Sequence, residues 1–170
     1  AGRLTAMPTH KTVELTHRGG MQFHAEPSSG HPQDFDTRDS NQGGSPVETV
    51  LSALAACTAM DVISITRKKR QAIESYVIHA SAEQRDEYPQ VFTRIDLVHD
   101  VAGPGLSEAA IRRAIELSAT KYCPVSAMLS AGATIVHHRY RIVSSGERAY
   151  EASGEVIATG PNQRPDIIAG

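Results

Sequence analysis

The sequence lacks most of the features that would assign a chain to a partner class at sight. Its 170 residues hold 17 basic and 19 acidic side chains, a formal net charge of -2. No basic excess therefore recommends nucleic acid or an anionic membrane surface as partner. Ala1 to His17 contain no apolar stretch of the signal-peptide kind, and a cytoplasmic setting is expected. No apolar run reaches the roughly 20 residues that a membrane-spanning helix wants. Val50 to Ile65 comes nearest, but it carries Asp61 and several hydroxyl side chains and ends in Arg67-Lys68-Lys69-Arg70. No internal repeat is present, and the eight histidines and two cysteines match no zinc spacing, so neither metal nor cofactor is expected. Cysteine is scarce: Cys57 and Cys123 are the only two. In a reducing compartment such a pair reads as catalytic or simply reduced rather than as a structural disulfide.

What is present reads as one α+β domain over residues 1–145, with a C-terminal tail of uncertain structure over 146–170. Thr12 to His17 and Met21 to Ala25 read as short strands around the turn signal Arg18-Gly19-Gly20. Glu26 to Gly44 is rich in Pro, Gly, Ser and Asp and reads as a long loop. Ser45-Pro46-Val47-Glu48 then opens a long helix. Ser45 is the cap, proline takes the first helical position, and the acid three residues after the cap completes a capping box. Ile73 to Glu83 and Val91 to Val101 alternate as antiparallel strands, with Ile95, Leu97, His99 and Val101 on one face. Ser107 caps a second helix, Pro124 starts a short third one with Cys123 at its N-cap, and Ala133 to Val143 reads as a last strand. In that strand the adjacent His137 and His138 point to opposite faces and cannot chelate one metal together.

Both cysteines lie in distinctive apolar frames, Ser45-Pro46…Ala55-Ala56-Cys57-Thr58-Ala59-Met60-Asp61-Val62 and Lys121-Tyr122-Cys123-Pro124-Val125-Ser126. Free cysteine is among the most buried residue types, and two inert core thiols are the plain reading of each frame alone. Together, in this order and 66 residues apart, the frames resemble the two signature cysteine segments of the OsmC/Ohr family, with a likeness spanning about residues 10 to 143. The resemblance implies an antiparallel sheet with two central helices in an intertwined homodimer. It further implies a thiol peroxidase that reduces organic hydroperoxides, and in some members hydrogen peroxide, with Cys57 attacking and Cys123 resolving through a disulfide. The implied partners are a small organic hydroperoxide and an external dithiol reductant. The alternative is a stress-associated binding protein of the same fold with weak or no peroxidase activity.

Local physics and the resemblance disagree about which thiol is the more acidic. Cys57 lies about 18 Å along the helix from its cap at 1.5 Å per residue, beyond the influence of the helix N-terminus. Cys123, at a helix start, has the better local dipole. The resemblance assigns attack to Cys57 with help from an arginine held by a glutamate near the first helix start. Arg38 in the loop is the candidate arginine, and Arg18 is the second. Characterised members carry the glutamate directly after the helix-starting proline, whereas this chain has Val47 there and Glu48 one position on, a rotation of about 100° around the helix. Glu48 is therefore either a site residue or only part of the helix cap. An apolar pocket from Val50, Leu54, Met60 and Met128 is the expected seat of an alkyl peroxide.

Overall fold

A computed structural model describes residues 10–132 and 134–158. The chain divides into two compact units, one ending at Val50 and the other starting at Leu51.

The first unit is a three-stranded antiparallel sheet of β1 (Val13–Gly19), β2 (Gln22–Pro27) and β3 (Gln33–Phe35), in that order. Gly19 and Gly20 make the β1–β2 turn at φ of 109° and 55°, a backbone region that glycine enters without steric penalty. β3 lies inside the stretch expected to be loop. Its three residues are too few for alternation to show in sequence, and pairing with β2 creates it. The following turn is pinned by buried Asp36, whose carboxylate accepts from Ser40 Oγ (2.6 Å) and from the backbone of Thr37 (2.7 Å) and Gln42 (3.1 Å).

Helix α1 (Pro46–Lys68) starts at the expected capping box: Glu48 N donates to Ser45 Oγ, and Ser45 N donates to Glu48 Oε2, each at 3.2 Å. Its basic end, Arg67 and Lys68, suits the negative pole of the helix dipole. Only Leu54, Thr58, Val62 and Thr66 are buried, one stripe at four-residue spacing. Against the expectation that this stretch falls short of a span, the 23-residue helix is long and apolar enough to cross a membrane by length and composition alone, because the helix continues beyond both ends of the apolar run. Leu54 and Val62 instead belong to the core of the second unit.

That core lies on one face of a four-stranded sheet ordered β4 (Ser75–Gln84), β5 (Phe92–Pro104), β6 (Ile135–Ser145) and β7 (Tyr150–Ala158). β5 and β6 are parallel, with Leu97 opposite His138, and this departs from the expected antiparallel sheet at one ladder. The reason is the connection. About thirty residues, carrying helix α2 (Glu108–Leu117) and helix α3 (Pro124–Ser130), leave one strand end and return to the other as a crossover. The β4–β5 and β6–β7 ladders are antiparallel. β7 occupies part of the segment left without an assignment in sequence; residues 159–170 lie outside the described residues, as does Ala133 at the expected start of the last strand.

Alternation sorts the sheet faces as the sequence implied. Ile95, Leu97, His99, Val101, Val136, His138, Tyr140 and Ile142 are buried. On the other face Arg94 pairs with Asp96, Arg141 with Asp100, and His137 with Asp96 and Glu155. Two buried histidines interrupt the apolar face. Tyr76 Oη and His99 Nδ1 share a hydrogen bond of 2.7 Å, and His99 Nε2 and His138 Nδ1 share one of 3.1 Å. Burial pushes His99 down to about 4, so it is neutral at ordinary pH.

Candidate functional site

The site is built from two pieces of the second unit. On α1, Cys57 and Asp61 are one turn apart, and such a pair projects from the same face. The second piece follows α2, where a π-helical turn over Ser118–Tyr122 closes with Cys123 N donating to Ser118 O at 3.0 Å. Turns of this kind insert a residue into a helix and re-aim the chain, and they recur at functional sites. Here the turn delivers Cys123 to the N-cap of α3 in an extended conformation (φ -72°, ψ 105°), with Pro124 directly after it.

The two pieces converge. Cys57 Sγ, Cys123 Sγ and a carboxylate oxygen of Asp61 all lie within 4.8 Å of one another. Both thiols are reduced; Cys57 is half-buried and Cys123 is 2% exposed. Hydroxyl and amide donors hold the arrangement in place. Ser126 N donates to Cys123 Sγ at 3.3 Å, Thr58 Oγ1 donates to it at 3.9 Å, and Ser118 Oγ donates to Asp61 Oδ2 at 2.9 Å. Beside Asp61 opens a cleft of about 250 Å³ lined also by Ser64, Ile65, Lys68, Leu117 and Tyr122.

Burial decides the acidity of Cys123. It pushes the thiol up to about 12, and the contact with Cys57 adds to the shift; the Ser126 amide and the Thr58 hydroxyl pull the other way with less force. The expectation that a helix start would lower the Cys123 thiol is overturned. A dipole at the head of the seven-residue α3 does not compensate for removal from water.

The other residues named from sequence stand as follows. Glu48 makes both reciprocal bonds of the helix cap. Arg38 is exposed in the turn after β3, and Arg18 is exposed on β1 beside a cleft of about 320 Å³ shared with Phe23, His24 and Asp34. Of the residues expected to wall an apolar pocket, Leu54 is fully buried in the core, while Val50 is exposed and Met60 and Met128 are 73% and 69% exposed. His138 faces the core as expected, but its Nε2 finds no hydrogen-bond partner among the described residues.

Sequence reasoning missed Asp61, Thr58, Ser118 and Ser126. Asp61 carried one legible signal: an acid four residues after Cys57 within an otherwise apolar helix. The others are hydroxyl residues whose relevance appears only once α2, α3 and α1 are packed together.

A family model described as OsmC-like protein matches residues 39–138. Protein YhfA of Escherichia coli strain K12 is 40% identical over 126 residues, which are 74% of this chain and 93% of that protein. Among solved structures, an OsmC-like protein from Mycoplasma pneumoniae superposes with a TM-score of 0.67 at 17% identity, covering 81% of this chain and 99% of that one. The organic hydroperoxide resistance protein OhrB of Bacillus subtilis gives a TM-score of 0.52 at 19% identity, covering 76% and 97%. At those identities the two structures speak for the fold.

Proposed function

The chain belongs to the OsmC-like protein family, and from that premise we propose that it is a thiol-dependent peroxidase acting on small organic hydroperoxides. The observation that carries the reading is the meeting of two thiols of unequal exposure, with their sulfurs within 4.8 Å. Cys57, the more accessible, attacks as the thiolate. Its sulfur bonds to the terminal peroxide oxygen, the O–O bond breaks, and the alkoxide leaves and takes a proton to become the alcohol. Cys57 is then a sulfenic acid. The Cys123 sulfur attacks that sulfur, a disulfide forms, and the hydroxyl leaves with the Cys123 proton as water. An external dithiol supplies two electrons and two protons to restore both thiols and is itself oxidised to a disulfide.

The raised position of the Cys123 thiol fits a resolving role. A group that stays protonated until a sulfenic acid forms beside it does not compete for the peroxide. The arginine that the family pattern asks for is assigned to Arg38, with Arg18 the alternative. Glu48 is accounted for by its cap. The working assembly is proposed to be a homodimer. Only four of the 23 residues of α1 are buried within one chain, and exposed Met60 and Met128 add to the apolar surface that a second copy would cover.

The test is a titration of the fully reduced protein with cumene hydroperoxide, following free thiols and intact mass. Loss of two thiols per peroxide with a mass decrease of two hydrogens is expected. Wild-type protein that leaves the peroxide untouched would instead favour the binding protein of the same fold. Sedimentation of a stable monomer would remove the dimer from the proposal.

A further inference from the structure

We propose that Cys57, Asp61 and Cys123 form a binding site for a thiophilic divalent cation, zinc by the chemistry of the donors, with the fourth position left to a water. This goes beyond the peroxidase reading and shares with it only the closeness of the two thiols.

The donor set is the first ground. Two sulfurs and one carboxylate oxygen, mutually within 4.8 Å, are a combination that favours zinc over the hard cations calcium and magnesium. Tetrahedral zinc with bonds of about 2.3 Å to sulfur and 2.0 Å to oxygen sets its ligands roughly 3.5–3.8 Å apart. Edges of at most 4.8 Å need no more than about 1.0–1.3 Å of tightening to reach that size. Two of the ligands, Cys57 and Asp61, are held at fixed spacing one helical turn apart.

The second ground is what surrounds the ligands. Metal-bound thiolates and carboxylates are steadied by outer donors, and these are already in place. Ser118 Oγ orients the Asp61 carboxylate at 2.9 Å, Ser126 N points at Cys123 Sγ at 3.3 Å, and Thr58 Oγ1 approaches the same sulfur at 3.9 Å. Ser118 and Thr58 are both fully buried, so solvent does not compete for either hydroxyl. A cleft of about 250 Å³ is lined by Asp61 and by neither cysteine, so it borders the site on the carboxylate side, and Cys57 is the half-buried donor on the thiol side.

The third ground is charge. Binding exchanges two thiol protons, which go to the buffer, for one dication, and leaves two thiolates, one carboxylate and the metal with a net charge of -1. No electrons move. The metal state and the disulfide state are therefore mutually exclusive uses of the same sulfurs: oxidation must release the cation, and bound cation must protect the thiols.

The experiment uses the whole reduced protein with cobalt(II) as a spectroscopic probe and zinc as competitor. Expected are one cobalt per chain, a sulfur-to-metal charge-transfer band with intense tetrahedral d–d absorption, displacement by one equivalent of zinc, and release of two protons. Asp61→Asn should weaken zinc binding at least about tenfold. Oxidising the wild type to its disulfide, which involves no substitution, should abolish binding. The site as assigned is overturned if the reduced wild type takes up no more cobalt than the Cys57→Ser/Cys123→Ser protein, or if Asp61→Asn binds with unchanged affinity and spectrum. Cobalt binding without peroxide consumption would sink the peroxidase and keep the metal site; peroxide consumption without cobalt binding would do the reverse.

Discussion

The neighbourhoods of the two cysteines are built on opposite plans. Cys57 sits in the middle of a 23-residue helix, half-buried, at the rim of the apolar cluster that encloses Cys123. Cys123 sits at a junction between a π turn and a short helix, almost wholly out of water, packed with Leu54, Ile95, Leu97 and Val136. A regular helix gives a side chain a predictable direction, and an irregular junction gives it a partner. The first plan leaves a thiol accessible; the second holds one ready at a chosen distance.

The comparison breaks most completely through the sulfurs themselves. Cys57→Ser should reduce hydroperoxide consumption to the rate of buffer alone; a variant that still consumes peroxide like wild type reverses the assignment of roles. Cys123→Ser should remove sustained turnover yet keep one equivalent of reaction, leaving a sulfenic acid that mass spectrometry reads as one added oxygen. A smaller contrast is expected in alkylation. With its thiol raised to about 12, Cys123 should be thiolate in roughly one molecule in ten thousand at pH 8, and its rate of labelling should climb about tenfold per pH unit above that. Cys57 should be labelled first at neutral pH, and equal labelling there would dissolve the asymmetry.

Packing supplies the next test. Leu54→Ala removes a fully buried neighbour of Cys123 and should lower stability by about 2–5 kcal/mol. It should also speed alkylation of the enclosed Cys123 more than that of the already half-exposed Cys57; a uniform increase at both thiols would mean that they share one opening motion. The smallest effect is expected at the helix start. Ser45→Ala should cost about 1 kcal/mol of stability, visible as a lower melting temperature, without altering the order of labelling.

Much of this was legible before any coordinates. The capping box at Ser45 and Glu48, the hairpin at Gly19-Gly20, the Ser107 cap and the alternating faces of β5 and β6 are each local patterns confined to one cap, turn or strand. Local patterns are readable because their physics is complete within one turn or one strand. β3 and β7 were not legible, since a three-residue strand and a Gly-interrupted one acquire their character from the strands beside them. The direction of the β5–β6 ladder depended likewise on where a long crossover returns.

The sequence by itself determined which thiols exist, the capped helix that carries Cys57, the proline-started helix that carries Cys123, and membership of a family built on that pair of frames. Only the tertiary structure decided that the two sulfurs meet, that Asp61 and its Ser118 partner join them, and that burial raises the Cys123 thiol. Acidity and proximity are properties of the space around an atom, filled here by residues up to 69 positions away (Leu54 from Cys123), and no local pattern encodes how that space is filled.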